Sequence, residues 1–488
     1  MRIPFPERVP LNAAAIFAVG LSVVQLLEGT PLYFCICSVG FILIATLAFN
    51  VVGGLASTSG AYILFYSLLV VIIGLVYKAY LGERADSNLV DPQTTMPVYV
   101  ASISAMCLAA LLSRRFVRRP GLLENLLPDS QMYRSSVGCL LAGALLAPVI
   151  ALLGPMGQRI GSAFDQANDL IPLGIILGVI TEIRQSGGRR STNVWLIAAM
   201  GYYFLMYGVF SFSKEGMLAP LFAWFLAAWS QRFRFSRTQA IAGLLGALVI
   251  FRYLVPFVQF ERNVAYPGIS LGERVTMAKR LVEDPEGMRR EYLEAANDAR
   301  GLNSYYNTYQ GFWDRLQFIS ADDALINITD QGKVFGLQPL KMELFNVVPH
   351  IFWPNKPILN FGNMYAHEIG GFSDEDTTTG ISFSPTGEAY HLAKWVGILV
   401  VAPLLWVIFF AFYDSLFGDM RRSPWALLAS VLIAHLASEG GIRGVIRLLT
   451  FGTETFIFCA LFAAYVAPLI ATGVLGPGSR HQVAASTA

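Results

Sequence analysis

The feature that most constrains this chain is an apolar run of about twenty residues, which recurs along most of its length and matches the length of helix that spans a bilayer. Hydrophobic residues make up 55% of the 488 residues and charged residues only 14%. Soluble domains carry about a quarter charged residues, so this chain lacks the charge to cover a water-exposed surface. The sequence therefore predicts an all-α polytopic membrane protein and excludes a soluble enzyme.

About twelve apolar segments are expected to cross the membrane. No cleavage site follows the first of them, so we expect the chain to be anchored by its own helices. The predicted units are a nine-span domain over 1–258, a large loop over 259–392, a three-span domain over 393–475 and a disordered tail over 476–488. The predicted spans are 11–28, 32–53, 59–80, 96–113, 135–153, 166–183, 193–211, 216–231, 239–258, 395–413, 425–439 and 453–472.

Arginines cluster in the short connections between these spans. If the spans alternate in direction, every cluster falls on one side of the membrane, which the positive-inside rule identifies as the cytoplasm. Both termini are then cytoplasmic, the loop between spans nine and ten is periplasmic, and the expected location is a bacterial inner membrane. The clusters are Arg2 with Arg8, Arg114 with Arg115, Arg118 and Arg119, Arg184 with Arg189 and Arg190, Arg232 with Arg234 and Arg237, and Arg421 with Arg422.

The large loop is the main extramembrane element. Its first part, 271–300, has the composition of a helix that Pro285 interrupts. The stretch 313–328 has apolar residues at helical spacing, which predicts packing on the membrane domain. After Gly332 the residues are mainly Pro, Gly, Asn and aromatic, which is typical of an ordered, irregular loop.

The standard motifs for cofactor chemistry are missing from the sequence: there is no P-loop, no G-x-G-x-x-G and no H-E-x-x-H. The five histidines do not have metal-ligand spacing, and the net charge of +2 is too small to indicate a nucleic-acid partner. We therefore expect no cofactor, no metal and no nucleic acid.

Two candidate sites lie in or beside the spans on the loop side. Lys214 and Glu215 occupy the short turn between spans seven and eight, where each needs a partner or water. The alternative is a solvated turn with a lysine that reaches water. Arg252 lies inside the outer half of span nine, where a charge indicates either a wet cavity or a structural pair with a carboxylate.

A third candidate site follows span eleven, where Glu439 precedes two glycines and then Arg443 and Arg447. Residues four apart share one face of a helix, and two guanidinium groups on one face suit a phosphate-bearing ligand. The glycines would let the backbone approach that ligand. Contact of the arginines with outer-surface lipid headgroups is the alternative.

The fourth candidate site is the end of the loop, where aromatic residues alternate with prolines and polar residues that suit sugar recognition. An interfacial aromatic belt would also explain Trp353 but not the placement of Pro, Lys and Glu. The three stretches are Pro349-His350-Ile351-Phe352-Trp353-Pro354-Asn355-Lys356-Pro357, Phe361-Gly362-Asn363-Met364-Tyr365, and Ser382-Phe383-Ser384-Pro385-Thr386-Gly387-Glu388-Ala389-Tyr390.

These stretches resemble the Wzy-like oligosaccharide repeat-unit polymerases of O-antigen and exopolysaccharide assembly, over 315–397 and thus under a fifth of the chain. The large loop between the spans also matches, as does a basic residue after Ser in the short turn, here Lys214. Two positions depart from the family. His350 and Lys214 stand where relatives often have arginine, so neither offers a bidentate fork.

The resemblance implies an enzyme that transfers a glycan chain from polyprenyl pyrophosphate onto a lipid-linked repeat unit, without a nucleotide sugar. It implies cations that stabilise the departing pyrophosphate and a carboxylate or imidazole that takes the hydroxyl proton. A chain-length regulator and a flippase are the implied partners. The candidate cationic and sugar-binding residues are Arg443, Arg447, Lys214, Arg252, Lys356, Trp353 and Tyr390, and the candidate proton acceptors are Glu388, Glu215, His350 and Glu439.

Two other functions remain open at this point. An O-antigen ligase-like transferase would use the same cationic site but a different acceptor, and the loop ending favours the polymerase. A lipid-oligosaccharide transporter, or flippase, would suit twelve spans. Against a transporter, the sequence has no repeated half, and the candidate charges lie at the ends of the spans rather than near the bilayer midplane.

Overall fold

The computed structural model describes residues 3–152, 165–264, 269–298, 304–345, 348, 353, 361–370 and 380–476. Within these residues the chain is almost entirely helical, and Phe383 and Gly440 form an isolated parallel bridge. The helices are α1 (Leu11–Leu27), α2 (Leu32–Val52), α3 (Thr58–Leu81), α4 (Pro92–Ser113), α5 (Asp129–Leu152), α6 (Leu170–Gln185), α7 (Val194–Val209), α8 (Lys214–Ser230), α9 (Arg237–Arg262), α10 (Leu271–Glu283), α11 (Pro285–Asp298), α12 (Ile319–Asp330), α13 (Gln338–Phe345), α14 (Phe361–Glu368), α15 (Pro385–Phe417), α16 (Pro424–Glu439) and α17 (Arg443–Leu475).

The length and composition of these helices identify a membrane protein. In the described part of the chain, six helices are long and apolar enough to cross a bilayer, namely α2, α3, α4, α9, α15 and α17. Helices α1, α7 and α16 are apolar but shorter. The chain is therefore a multi-pass, all-α membrane protein, which confirms the class that the apolar runs predicted. Each predicted span also overlaps a helix, and most bounds differ by a few residues, but α15 and α17 begin ten residues before the spans predicted from 395 and from 453.

The helices pack into a bundle whose contacts include close backbone crossings. Helix α4 packs against α2 and α15, α16 packs against α3, and α5 packs against both α6 and the C-terminal part of α17. A Cβ on Gly138 of α5 would lie 2.0 Å from the main-chain oxygen of Ala467 in α17. Glycine at such a crossing lets two helices touch along their backbones, as is common in membrane bundles.

Helix α9 is attached to the rest of the protein through one half only. Its first part, Arg237–Val249, has no buried residue, whereas Val255, Phe257 and Val258 near its other end are buried. These residues form a cluster with Leu281 of α10, and helix α11 packs against the same part of α9. The loop helices therefore fix the C-terminal half of α9.

Arginines gather at one end of the bundle. Arg184 at the end of α6 donates from Nε to Gln231 Oε1 (3.1 Å), and Gln231 Nε2 donates to the main-chain oxygen of Arg421 (3.2 Å). Arg421 in turn forms an ion pair with Glu7. These contacts join the N-terminal segment to the ends of α6, α8 and α15. The opposite end carries α10 to α14 and is called the loop end here.

Two of the helix predictions for the loop are confirmed. The helical stretch from Leu271 forms α10 and α11, and Pro285 begins the second helix. The stretch 313–328 forms the end of a short 3-10 helix (Gly311–Arg315) and most of α12, which packs against α4 and α15. The sequence predicts an irregular loop after Gly332, but the described part of this loop includes the short helices α13 and α14. Outside the described residues lie the tail beyond Gly476 and residues 346–347, 349–352, 354–360 and 371–379.

Candidate functional site

Glu388 is positioned by the start of helix α15 at the loop end. Ser384 caps this helix, because its Oγ accepts hydrogen bonds from the main-chain nitrogens of Thr386 (3.1 Å) and Gly387 (3.4 Å). Pro385 occupies the first helical position, where a missing N–H costs nothing. The cap and the proline begin the helix at a defined residue, which places Glu388 on its first turn with a fully buried side chain.

The buried carboxylate of Glu388 holds Arg443, which begins α17. Arg443 Nε donates to Glu388 Oε1, and the Arg443 main-chain nitrogen donates to Oε2 (3.0 Å). Tyr365 of α14 donates from Oη to Oε1 (2.8 Å). Both carboxylate oxygens therefore accept hydrogen bonds, and the buried charge is compensated by Arg443, whose side chain is itself only 18% exposed. The sequence named Glu388 and Arg443 in separate roles, and the structure joins them.

Aromatic rings lie beside the arginine. The guanidinium carbon Cζ of Arg443 is 4.2 Å from the ring centroid of Phe361 and 5.6 Å from that of Tyr365. A guanidinium over a ring face is attracted by the ring quadrupole, and this attraction is strongest where water is excluded. Glu388 engages Nε and the main-chain nitrogen of Arg443 rather than the two terminal amino groups. The arrangement therefore fixes the plane of the guanidinium.

The glycine pair before Arg443 permits this approach. Gly441 has a φ of +61°, and a Cβ there would lie 2.2 Å from Glu388 Oε2. Gly440 forms the parallel bridge with Phe383, just ahead of the Ser384 cap. The sequence predicted that these glycines allow a close approach of backbone to a ligand. In the structure, the group that Gly441 accommodates is the carboxylate of Glu388.

A second group of cations lies at the same end of the bundle and involves Lys214 at the start of α8. With the Gln259 amide oriented so that its oxygen faces the cations, that oxygen accepts hydrogen bonds from Lys214 Nζ (3.0 Å) and Arg315 Nε (2.9 Å). The amide nitrogen then donates to Tyr292 Oη. Gln259 is buried, so one neutral oxygen bridges two cations. In the described part of the chain, neither cation has an ion-pair partner within 4 Å.

This cluster of Lys214, Arg315 and Gln259 perturbs the ionisation of the lysine. Burial lowers the pKa of Lys214 to about 7, and repulsion from the Arg315 guanidinium acts in the same direction. Glu439 acts in the opposite direction and raises the pKa, but it does not restore the ordinary value. An anion bound between Lys214 and Arg315 would relieve the repulsion and favour the charged lysine. The cluster therefore has the charge to bind an anion.

Glu439 lies near Lys214 and ends the helix that precedes Arg443. It interacts electrostatically with Lys214 and lies four residues before Arg443. Its Oε2 is 3.8 Å from Nδ1 of His435, one turn earlier on α16, and both side chains are partly exposed. Glu215, beside Lys214, is also exposed. These two carboxylates and the imidazole are at least partly open to solvent.

The structure places the remaining candidates away from the Glu388–Arg443 pair or in other contacts. Arg447 is exposed near the Phe451 ring, so it does not share a buried face with Arg443. Arg252 is paired with Glu286 (2.8 Å), which is the structural pair that the sequence left open.

Two aromatic candidates also have structural partners. Tyr390 is buried and donates to Asp330 (2.8 Å), and Trp353 lies edge-on to Phe345 with ring centroids 5.5 Å apart. His350 and Lys356 lie outside the described residues.

Sequence reasoning missed several residues that take part in these contacts. Arg315 and Gln259 were not singled out, because one charged or polar residue near a span is common. His435 has one available signal, which is its position four residues before Glu439 on an apolar helix. Asp322 and Asp323 are both buried, and charged residues are almost never fully buried unless they are paired. Half of the residues in their helix are polar, so the sequence did not mark these two aspartates.

Comparison of the chain with protein-family models, with curated proteins and with solved structures gives no match. The description of the site therefore rests on its own geometry.

The Glu388–Arg443 pair makes a prediction about stability. Removing one partner leaves an uncompensated buried charge, so Glu388→Ala and Arg443→Ala are each expected to lower the free energy of unfolding by about 3–5 kcal/mol. The double variant is expected to lose much less than the sum of the two. Unfolding in mixed detergent micelles measures all three values. Lys333→Ala is the control, because its pair with Glu368 is largely exposed and contributes about 1 kcal/mol or less. Additive losses would show that the two side chains do not act as a pair.

Proposed function

We propose that this chain is a polymerase of lipid-linked oligosaccharide repeat units. In this proposal it transfers a glycan chain from polyprenyl pyrophosphate onto a lipid-linked repeat and so builds a surface polysaccharide or exopolysaccharide. One observation carries the proposal. Phe361 and Tyr365 come from one of the stretches that resemble Wzy-like polymerases and Glu388 from another, and all three lie against Arg443 of a distant segment. Stretches that resemble a family thus meet around a cation.

The proposal includes a topology with twelve spans and both termini in the cytoplasm of a bacterium, in its inner membrane. Its support is the clustering of arginines from several connections at one end of the bundle. The arginine clusters after α6, α8 and α15 come together at one end, through Arg184, Gln231 and Arg421. The positive-inside rule assigns that end to the cytoplasm, which puts the loop end in the periplasm.

The proposed reaction is a substitution at the anomeric carbon of the donor glycan. The hydroxyl oxygen of the acceptor forms a bond to that carbon, the bond from the carbon to the pyrophosphate oxygen breaks, and polyprenyl pyrophosphate leaves with the electron pair. The hydroxyl proton passes to a protein base. The leaving group is already activated, so the reaction needs cations that stabilise developing negative charge.

We assign the pyrophosphate to the cations of the loop end. Arg443 is fixed in orientation by Glu388 and by the rings beneath it, so little conformational entropy is lost when it meets a phosphate. Lys214 and Arg315 share a neutral amide oxygen, which leaves their charge uncompensated. A pyrophosphate supplies the missing negative charge. Arg447 and Arg252 are left out of this assignment because their contacts lie elsewhere.

The proton acceptor is proposed among the solvent-open groups. Glu388 is buried and both of its oxygens already accept hydrogen bonds, so its proposed role is to hold Arg443. Glu439 and Glu215 remain, and His435 lies beside the first of them. A base must reach the proton that it removes, which favours an exposed carboxylate next to the cation cluster.

The expected partners follow from the substrate. The lipid-linked repeat must reach the periplasmic face before polymerisation, which requires a flippase. The length of the product needs a separate chain-length regulator. An O-antigen ligase-like transferase remains the alternative within enzymes, since the same cations suit its donor. A transporter is less well supported, because the described cations meet at the ends of helices rather than at the middle of the bundle.

The experiment that tests the proposal compares cells that carry a gene deletion and express either the wild type or Arg443→Ala. Loss of long polymer with accumulation of single lipid-linked repeats is expected for the variant, because the pyrophosphate loses its oriented cation. Gel analysis of surface polysaccharide and extracted lipid-linked intermediates measures both. Arg289→Ala, a loop arginine paired with Glu286, is the control and is expected to keep the polymer. Free polymer that is no longer attached would support the ligase, and repeats that stay in the inner leaflet would support the flippase.

The lowered pKa of Lys214 predicts a dependence of donor binding on pH. Below about 7 the lysine is charged and binds the pyrophosphate, and above that value it becomes neutral. Affinity for undecaprenyl pyrophosphate is therefore expected to fall about tenfold between about pH 6 and about pH 8, since a charged hydrogen bond contributes about 1.5–3 kcal/mol. Binding to protein in nanodiscs measures this change.

Lys214→Arg is the matched control for this pH dependence, because a guanidinium stays charged over the whole range. The ratio of wild-type to Lys214→Arg affinity also cancels the ionisation of the pyrophosphate itself. A ratio that does not change with pH would rule out Lys214 as the titrating group.

A further inference from the structure

Asp322 lies on helix α12, outside the contacts assigned above, and its carboxylate is fully buried. Its Oδ1 accepts a hydrogen bond from the Ser384 main-chain nitrogen (2.9 Å), and its Oδ2 accepts one from Ser384 Oγ. Tyr99 of α4 also donates from Oη to Oδ2 (2.6 Å). A buried carboxylate is costly unless such donors surround it. Asp322 thus connects its own helix, α12, to helix α4 and to the Ser384 cap of α15.

The cap that Asp322 holds is the one that positions Glu388. Ser384 is the N-cap residue of α15, and Glu388 lies one turn further on the same helix. Gly387, between them, has no space for a side chain, because a Cβ there would lie 2.3 Å from Asp322 Oδ1. The start of α15 therefore rests directly on the Asp322 carboxylate. A shift of this contact would move Glu388, and with it the Arg443 guanidinium.

The neighbouring Asp323 accepts a similar set of hydrogen bonds, but from donors at the start of α4. It is also buried, and it accepts hydrogen bonds from the main-chain nitrogen of Asp91 (3.1 Å) and from Thr95 Oγ1 (2.7 Å). These donors belong to the start of α4, and none of the contacts that the structure gives for Asp323 reaches α15 or Arg443. Asp323 therefore anchors α12, the helix that also carries Asp322, with a comparable number of hydrogen bonds, but it does not contact the Ser384 cap of α15.

We propose that Asp322 is a positioning residue for the binding of a polyprenyl pyrophosphate, acting through Ser384 and Glu388 on the orientation of Arg443. The inference rests on the proposed function and deepens it. In this arrangement the carboxylate of the loop helix does not contact the pyrophosphate. It fixes the position of the first turn of α15 relative to α4, and this position determines where the Arg443 guanidinium meets the phosphate.

The test measures the affinity of the full-length protein in nanodiscs for undecaprenyl pyrophosphate. Asp322→Asn is expected to weaken binding at least about tenfold, because small displacements of a positioned group have large effects. Asp323→Asn is the matched control. Its affinity for undecaprenyl pyrophosphate is expected to stay within about twofold of the wild-type value, although it lowers the thermal unfolding midpoint by about as much as Asp322→Asn does. Tyr99→Phe removes one of the hydrogen bonds to Asp322 and is expected to cause a smaller loss of affinity. This variant provides the test if Asp322→Asn does not fold.

A double-variant cycle separates positioning from a general structural effect. In an Arg443→Ala background, Asp322→Asn is expected to cause little further loss of affinity, because its effect passes through Arg443. Equal losses for Asp322→Asn and Asp323→Asn, or a full additional loss in the Arg443→Ala background, would overturn the inference. If the wild type itself does not bind undecaprenyl pyrophosphate, the proposed function fails, and that result is distinct from failure of the inference alone.

Discussion

The rest of the loop end depends on one interaction, the buried ion pair between Glu388 and Arg443. A carboxylate and a guanidinium removed from water carry a large desolvation cost, which only good geometry and further hydrogen bonds offset. The structure supplies both, through the Arg443 main-chain nitrogen and the Tyr365 hydroxyl. Helices α14, α15 and α17 therefore have a fixed relation to one another, since any displacement of one would expose or unpair a charge.

The two groups of cations at the loop end differ in how their charge is balanced. Arg443 has a carboxylate partner and is held rigidly. Lys214 and Arg315 share only a buried amide oxygen, so their mutual repulsion is not cancelled. The first group offers an anion a fixed orientation, and the second offers it net attraction. This combination is what a departing pyrophosphate requires, because charge develops at a fixed place during bond cleavage.

The sequence predicted the helical architecture well because apolar runs and turn residues act locally. The bounds of α2 and α16 agree with prediction to about one residue, and Pro285 separates α10 from α11 as its missing N–H requires. The candidate site was predicted only as separate residues. Glu388 and Arg443 are 55 positions apart, and no local pattern states that they pair.

The partner of a charged residue is harder to predict from the sequence than the residue itself. Arg252 has the same signal as a functional charge in a span, yet Glu286 on a loop helix neutralises it. Arg315 and Gln259 gain importance only because α9 and the loop bring them to Lys214. Asp322 is a further case, since its burial follows from the packing of its helix against α4 and α15, and half of the residues in that helix are polar.

The central claim is that the loop end catalyses transfer of a glycan from a pyrophosphate carrier. The most direct measurement places the purified full-length protein in liposomes with a single kind of lipid-linked repeat unit and no nucleotide sugar. The account predicts a ladder of longer lipid-linked glycans, with one polyprenyl pyrophosphate released for each bond formed. Repeat units that remain unextended, while the wild-type protein is folded and binds them, would contradict it.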